Sequence, residues 1–361
     1  MRFRHFLLLR LVFVSLIFVS CAPQLPYVLE PLPNTTSVAS VEGDNDWYQV
    51  YFSDPDSSTA SSYRGGPDEA LAEAIDQARF QVDAAVYDLN LWSIRDALIA
   101  AHRRGVSVRV VVESGHLDED EVQSLIETGI PVVDDQNDGL MHNKFVVIDG
   151  AHVWSGSMNL TVNGVYKNNN NLIYLRSSRL AENYTHEFEE MFTKHFFGSQ
   201  VVEDTPHPLI DLNGSHIETY FSPDDGTAQR IVELIQNAKE SIYFLAFSFT
   251  SDSIAEAMLE QSYNGVAVAG VFDEGQYYSN VGTEFDHFYE AGLDVRLDGN
   301  SARMHHKLII IDGEIVITGS YNFSASAEGR NDENTLIIHN PDIALKYIAE
   351  FERVYAQAPR E

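Results

Sequence analysis

The sequence predicts an α/β fold of two pseudo-twofold-related halves, each a mixed β-sheet flanked by helices. Three observations carry that expectation. Short, uniformly apolar segments alternate with helical periodicity, the pattern of strands covered on both faces. The whole alternation then recurs once at a nearly constant offset, which brings Val82 onto Ile242 and Ser93 onto Ser253. Each copy also closes on the same polar motif: Met141 to Asn159 reads MHNKFVVIDGAHVWSGSMN, and Met304 to Asn322 reads MHHKLIIIDGEIVITGSYN.

Residues 1–20 precede the fold. Arg2, Arg4 and Arg10 flank or interrupt an apolar run, and Leu11 to Val19 is too short to span a bilayer comfortably. The stretch reads as the n- and h-regions of a secretory signal. Cys21, the only cysteine, follows in Phe-Val-Ser-Cys and cannot form an internal disulfide. Its setting resembles a bacterial lipoprotein processing site, with Phe18 where Leu is usual. Lipidation of Cys21 is expected; an ordinary cleaved signal and an uncleaved anchor are the alternatives, and all three export the domain. Residues 22–46, with several Pro, Thr and Ser, suit a flexible tether. The expected location is outside the cell, lipid-anchored at the outer side of the bacterial cytoplasmic membrane or in the envelope.

The first half is expected over 47–200 and the second over 216–358, joined by a linker at 201–215. Tyr51-Phe52-Ser53-Asp54 matches Tyr220-Phe221-Ser222-Pro223. A helix at Ala70 to Arg79 matches one at Ile231 to Lys239. Apolar strands follow at Val82 to Tyr87 and Ile242 to Phe247, then helices at Ser93 to Arg103 and Ser253 to Tyr263. Gly105 and Gly265 end those helices, as C-terminal glycines commonly do. Strands at Val106 to Glu113 and Val266 to Asp273 each end in a carboxylate. A third pair of helices, Glu119 to Thr128 and Thr283 to Ala291, stops at Gly129 and Gly292, and another strand precedes each motif. The loop from Asp54 to Pro67 is clearly longer than its partner. Periodicity does not decide whether the two sheets lie apart or pack into one body.

In the first motif His142 and Lys144 stand at i and i+2 at the entry to an apolar run. On a strand they share a face while Asn143 points opposite. An imidazole beside an ammonium on a rigid strand suits one anionic group such as a phosphate. Asp149-Gly150 makes a tight turn. The chain returns to Gly156-Ser157-x-Asn159, where a hydroxyl and an amide can donate to phosphate oxygens. The second copy supplies His305, Lys307, Asp312, Ser320 and Asn322 at the same positions. Displacement at a phosphodiester benefits from a nucleophile on one side and an acid on the other, which two facing histidines provide.

The pattern His-x-Lys-x4-Asp-x6-Gly-Ser-x-Asn, present twice, resembles the phospholipase D superfamily, and the repeat covers about residues 47 to 357. The resemblance implies a phospholipase D-like fold and a two-step reaction through a covalent phosphohistidine, with no metal and no cofactor. Neither a His/Cys cluster nor an Asp/Glu set stands at ligand spacing in the sequence. His142, Lys144, Asp149, His305, Lys307 and Asp312 are implied as the catalytic set, with His142 as nucleophile and His305 as acid and later base by analogy with the family, the reverse assignment staying open because the two half-sites differ at Glu333 and Asn170. Asp149 and Asp312 are expected to orient imidazoles or fix the turns, and Ser157, Asn159, Ser320 and Asn322 to bind phosphate. A glutamate in the family often polarises the motif histidine. Glu333 in Asn331-Asp332-Glu333-Asn334 occupies that position, and Asn170 stands there in the first copy. Glu333 and Asn170 are thus expected to orient histidines, with the second half the more strongly polarised. Glu113, Asp273, His116, Tyr277 and Tyr278 are expected to border the site or to be ordinary loop residues. Asp134 and Asp135 read as solvated charges, and His102, His152, His287 and His339 as structural.

The formal charge of −31 repels polyanions at long range, with solubility or adaptation to salt as the plain reading. Export, a tether and an acidic surface favour phospholipid at a membrane surface. The expected function is phospholipase D-type hydrolysis of phosphatidylcholine-type lipids to phosphatidic acid and a free head-group alcohol. An exported nuclease is the alternative, disfavoured because no basic stripe is present. A cardiolipin synthase-like phosphatidyl transferase would normally carry further membrane helices, and a non-catalytic protein would show a degraded motif. The repeat implies a monomer with one complete active site.

Overall fold

A computed structural model describes residues 47–359. The expected signal, Cys21 and the tether at 22–46 lie outside the described residues. Among those described, no helix is long and apolar enough to cross a membrane.

The first half contributes β1 (Tyr48–Phe52), β2 (Gln81–Val86), β3 (Ser107–Val112), β4 (Val132–Asp134), β5 (Lys144–Ile148), β6 (His152–Gly156) and β7 (Asn171–Arg176). They form one sheet in the order β1-β7-β6-β5-β2-β3-β4. The second half contributes β8 (Leu209–Leu212), β9 (Ser215–Ser222), β10 (Ser241–Ala246), β11 (Ala267–Phe272), β12 (Asp294–Leu297), β13 (Lys307–Ile311), β14 (Ile315–Gly319) and β15 (Glu333–His339). Their order is β12-β11-β10-β13-β14-β15-β9-β8, the same topology with one added strand. Both sheets are mixed. β2, β3 and β4 pair in parallel because helices cross over between them, while β5, β6 and β7 return by shorter connections and pair antiparallel.

Each half ends on a long helix that the sequence reading did not anticipate, Ser178–Glu189 and Pro341–Gln357, and holds a short one after its motif, Val162–Tyr166 and Ala325–Gly329. Start signals were present: the side chains of Ser177 and Asn340 cap Leu180 N (3.3 Å) and Ile343 N (2.8 Å), and Pro341 holds the first helical position. A short helix, Glu274–Ser279, also appears in the loop after β11. The segment expected as a linker holds β8, which forms a hairpin with β9 through Asn213 and Gly214, both at positive φ.

The two sheets pack into one body. One apolar cluster draws on both halves, joining Phe145, Ile173, Leu180 and Phe188 to Leu308, Ile310, Leu336 and Phe351. Burying each such side chain contributes about 1.5–3 kcal/mol, so the shared core is a large part of what joins the halves. Ring pairs cross the boundary in symmetric fashion: Phe52 with Tyr347 and Tyr184 with Phe221, each at 5.2 Å between centroids. The outer sheet faces are covered by separate clusters, one per half.

Asp149 and Asp312 fix the turns, the second of the two roles expected of them; they lie away from the histidines, which corrects the expectation that they orient imidazoles within the catalytic set. Both adopt positive φ in the β5–β6 and β13–β14 turns, a conformation that Asp tolerates better than most residues. Asp149 accepts from Arg79 N (2.9 Å), Phe80 N (2.7 Å) and Gln81 N (3.0 Å), and Asp312 likewise from Lys239 N, Glu240 N and Ser241 N. Each carboxylate thereby ties its hairpin to the start of the neighbouring strand. Burial opposes the charge of Asp149, but the three donors outweigh it and hold its pKa below the ordinary carboxylate value. The whole of β5, roughly 16 Å at about 3.3 Å per residue, separates Asp149 from His142. Asp149→Ala is therefore expected to cost about 1–3 kcal/mol of stability in urea unfolding, with turnover per folded molecule retained. Folded but inactive D149A protein would return this residue to the chemistry.

Candidate active site

The two motif segments meet first through backbone. His142 N donates to Asp332 O (3.0 Å), and Asp332 N donates to Leu140 O (2.9 Å). The mirror contacts join His305 N to Asn169 O and Asn169 N to Arg303 O, both at 2.9 Å. These two short parallel bridges lay the entry to β5 against the entry to β15, and the entry to β13 against the entry to β7. The residue ahead of each histidine is pinned from behind by a buried carboxylate: Glu113 Oε2 accepts from Met141 N (2.8 Å) and Asp273 Oδ2 from Met304 N (3.0 Å). Asp135, expected to be solvated, is also fully buried and accepts from Ser114 N (2.7 Å).

The bridges exchange orienting residues between the halves. His142 Nδ1 lies 2.7 Å from Glu333 Oε2, and His305 Nδ1 lies 2.9 Å from Asn170 Oδ1. The carboxylate was expected to polarise the second half; because the entries cross, it sits on the histidine of the first. Asn170 donates through Nδ2 to Gly164 O (2.8 Å), which turns its Oδ1 toward the ring. An amide oxygen only accepts, so Nδ1 of His305 carries the proton and Nε2 the lone pair. Glu333 imposes the same orientation on His142, with a full charge in place of a dipole.

Ser157 and Ser320 were expected to bind phosphate, and the structure assigns them elsewhere. Both are fully buried. Ser320 Oγ donates to Glu333 Oε2 (2.6 Å) and accepts from Asn334 N (2.9 Å). Ser157 Oγ donates to Asn170 Oδ1 (2.9 Å) and accepts from Asn171 N (3.1 Å). With its single proton committed, neither hydroxyl can donate to a ligand; each holds the residue that holds a histidine. Asn159 and Asn322 differ. Both are half-buried, and their Oδ1 atoms have no hydrogen-bond partner among the described residues. Gly156 and Gly319 carry the close approach of the strands: an added Cβ would lie 2.4 Å from Asn171 O and 2.1 Å from Asn334 O.

Lys144 Nζ donates to His142 O (2.6 Å) and lies 5.0 Å from the Tyr87 ring centre; Lys307 Nζ donates to His305 O (2.9 Å) and lies 4.6 Å from that of Phe247. Burial brings Lys144 down to about 7, although Glu333, Asp88 and Glu113 favour its charge. Burial and the neighbouring Lys144 hold Lys307 well below its ordinary value. Both imidazoles are depressed in turn, first by burial and then by the two lysines. Burial pushes Glu333 up to about 7 against the pull of Lys144. The unliganded centre is thus crowded with groups whose cationic forms are disfavoured, and an anion between them would restore those charges.

A further buried layer went unread in the sequence. Asn143 and His306, the middle residues of the two motifs, point away from the centre. Asn143 Nδ2 donates to Glu187 Oε1 (3.1 Å), and His306 Nε2 lies 3.0 Å from Glu350 Oε1, tying each motif to the helix that ends its half. Asn171 and Asn334 cross-link the halves: Thr318 Oγ1 donates to Asn171 Oδ1 (3.0 Å) and Ser155 Oγ to Asn334 Oδ1 (2.6 Å). The two asparagines at the starts of β7 and β15, at the same place in each copy, were the available signal. Among the remaining candidates, Tyr278 is exposed, Tyr277 bonds to Asp286 (3.1 Å), and His152 and His339 bond to Tyr174 (2.8 Å) and Glu218 (2.7 Å).

Comparison with known proteins agrees with this architecture. The family described as "Cardiolipin synthase, PLD-like domain" matches twice, over residues 71–192 and 231–355. A phospholipase D of Rickettsia prowazekii (strain Madrid E) is 33% identical over 167 residues, which cover 45% of this chain and 80% of that protein. A mitochondrial cardiolipin hydrolase of Xenopus tropicalis is 35% identical over 133 residues, 37% of this chain and 63% of that protein. The phosphatidylserine synthase of Haemophilus influenzae Rd KW20 superposes with a TM-score of 0.61 over 86% of each chain at 13% identity, a likeness of fold. Two tandem matches that each contain one histidine–lysine motif place the chain in the phospholipase D superfamily, as a phosphodiester hydrolase.

Proposed function

We propose that the chain is a phospholipase D that cleaves phosphatidylcholine-type phospholipids to phosphatidic acid and a free head-group alcohol. The observation that carries the chemistry is the crossed pair of histidines, each with Nδ1 held by the other half and each beside a buried lysine. Once the phosphate anion is bound, His305 takes up a second proton at Nε2; His142 Nε2 then attacks phosphorus, the bond to the head-group oxygen breaks, and His305 gives that oxygen its Nε2 proton. A water then loses a proton to His305 and attacks phosphorus, the P–N bond breaks, and phosphatidic acid departs with His142 restored. Glu333 suits His142 to the nucleophilic role, because a carboxylate at Nδ1 stabilises the positive ring of a phosphohistidine. Asn170 leaves the His305 cation less stabilised, which favours proton release to the leaving group. Lys144 and Lys307, with Asn159 and Asn322, are suited to the non-bridging oxygens. None of these steps calls on a metal.

The choice of lipid rests on charge and likeness. Lys and Arg number 23 against 54 Asp and Glu, a composition that repels nucleic acid. Relatives carry the names phospholipase D and mitochondrial cardiolipin hydrolase. Export and anchoring through Cys21, read from residues 1–46, would hold the site at a membrane surface, with one complete site per monomer. Purified protein assayed in EDTA on phosphatidylcholine vesicles and on single- and double-stranded DNA is expected to release choline and leave the DNA intact. Cleavage of DNA alone would replace this reading with the nuclease one, and activity only after a divalent ion is restored would overturn the metal-free mechanism.

His142→Ala and His305→Ala are each expected to abolish turnover, a loss of at least about 10³-fold. Full activity in either variant would sink the two-histidine mechanism. Lys144 is charged below its depressed pKa of about 7 and neutral above it. Since kcat/KM reports the free enzyme, it should fall on short-chain phosphatidylcholine as the pH is raised through that pKa into the alkaline range. A level profile there would show that this charge does not capture substrate.

A further inference from the structure

The catalytic residues follow the twofold, but the walls beside them do not. In the first half Asp88 lies just past β2, His116 ends the turn at Ser114–His116 after β3, and Glu119 precedes the helix Asp120–Thr128. Their ligand atoms converge to within 4.8 Å of one another. His116 Nδ1 stands 3.6 Å from Asp88 Oδ1 and 3.7 Å from Glu119 Oε1, too far for either to be a hydrogen bond. Asp88 Oδ1 and His116 Nδ1 are both closed to solvent and have no hydrogen-bond partner among the described residues. Two buried polar atoms that face each other unpaired are costly unless a third body lies between them.

We propose that Asp88, His116 and Glu119 form a divalent-metal site of the zinc class beside the reaction centre, present in the first half only. Two of the three ligand-to-ligand distances fit such an ion, and the third, Asp88 to Glu119, lies within 4.8 Å. Metal–ligand bonds of about 2.0–2.2 Å in a tetrahedron put neighbouring ligand atoms about 3.4 Å apart, close to the 3.6 and 3.7 Å found here. The donors are one imidazole and two carboxylates, a mixture that suits zinc and leaves a fourth position open. A plain contact between the imidazole and two carboxylates is the competing reading; at 3.6 and 3.7 Å neither carboxylate reaches hydrogen-bond distance of the ring nitrogen. At the matching positions of the second copy stand Ser248, Gln276 and Ser279. There Asn280 Nδ2 already donates to Ser248 Oγ (2.9 Å). Tyr87 links the proposed site to the catalytic one, its ring centroid 4.8 Å from that of His116 and 4.9 Å from that of His142. Two loops supply the ligands, Asp88 from the one after β2 and His116 with Glu119 from the one after β3, so the set is not contiguous in the sequence.

The test is calorimetric titration of the tag-free full chain with zinc chloride after dialysis against a chelator. One equivalent is expected to bind to the wild type. The variant His116→Gln, which installs the residue found at position 276, is expected to bind at least tenfold more weakly with its metal-free unfolding temperature unchanged. Asp88→Ser, by the same logic, covers the case in which H116Q does not fold. The double variant His142→Asn/His305→Asn is expected to keep the one equivalent. Wild-type binding no tighter than that of H116Q and D88S would overturn the proposal. So would loss of the ion in the double variant alone, since the ligands would then be the catalytic histidines. Turnover plays no part in this readout, so failure here leaves the phosphodiesterase reading untouched.

Discussion

Two short parallel backbone bridges, Met141 with Asp332 and Asn169 with Met304, govern the reaction centre. Each sets a histidine of one half against the orienting residue of the other. Without them Glu333 and Asn170 would have no imidazole to hold, and the shared apolar core alone would fix the halves only to within the tolerance of packing. Hydrogen bonds are directional where apolar contact is not. The core supplies adhesion, and the bridges with the Asn171 and Asn334 cross-links supply register.

Around that register the polar groups are arranged in shells of decreasing exposure to substrate. Nε2 atoms and lysine ammonium groups form the innermost set. Glu333 and Asn170 hold the rings, Ser320 and Ser157 hold those residues, and Asn334 and Asn171 hold the serines. Every member is buried, so every lost partner is costly. The disfavoured charges at the centre are tolerable because this framework prevents the side chains from turning away toward water.

The two halves, the alternation of strands and helices and the paired motifs were legible in the sequence, because each depends on local periodicity or exact repetition. His142 and His305 could be matched for the same reason. Contacts between the halves were out of reach. Glu333 belongs to the same repeat as His305 and stands 191 positions along the chain from His142, yet it bonds to the latter. The recurrence of Gly-Ser-x-Asn suggested a phosphate cradle, whereas burial gave the serines to internal bonds and left the asparagines half-exposed. Asp149 resembles a catalytic carboxylate in the motif, but a strand's length separates it from the ring. Loops from β2 and β3 brought Asp88 and His116 together for the same non-local reason.

The exchange of orienting residues also bears on why the halves share one chain. A dimer of identical copies must present the same residue to both histidines, so whatever suits one proton-transfer role is imposed on the other. Covalent duplication removes that constraint. Position 170 can be an amide while position 333 is a carboxylate, and the loops beside β2 and β10 can differ in chemistry. Symmetry supplies the geometry of the site, and its local breaking places a carboxylate on one of two formally equivalent imidazoles and an amide on the other.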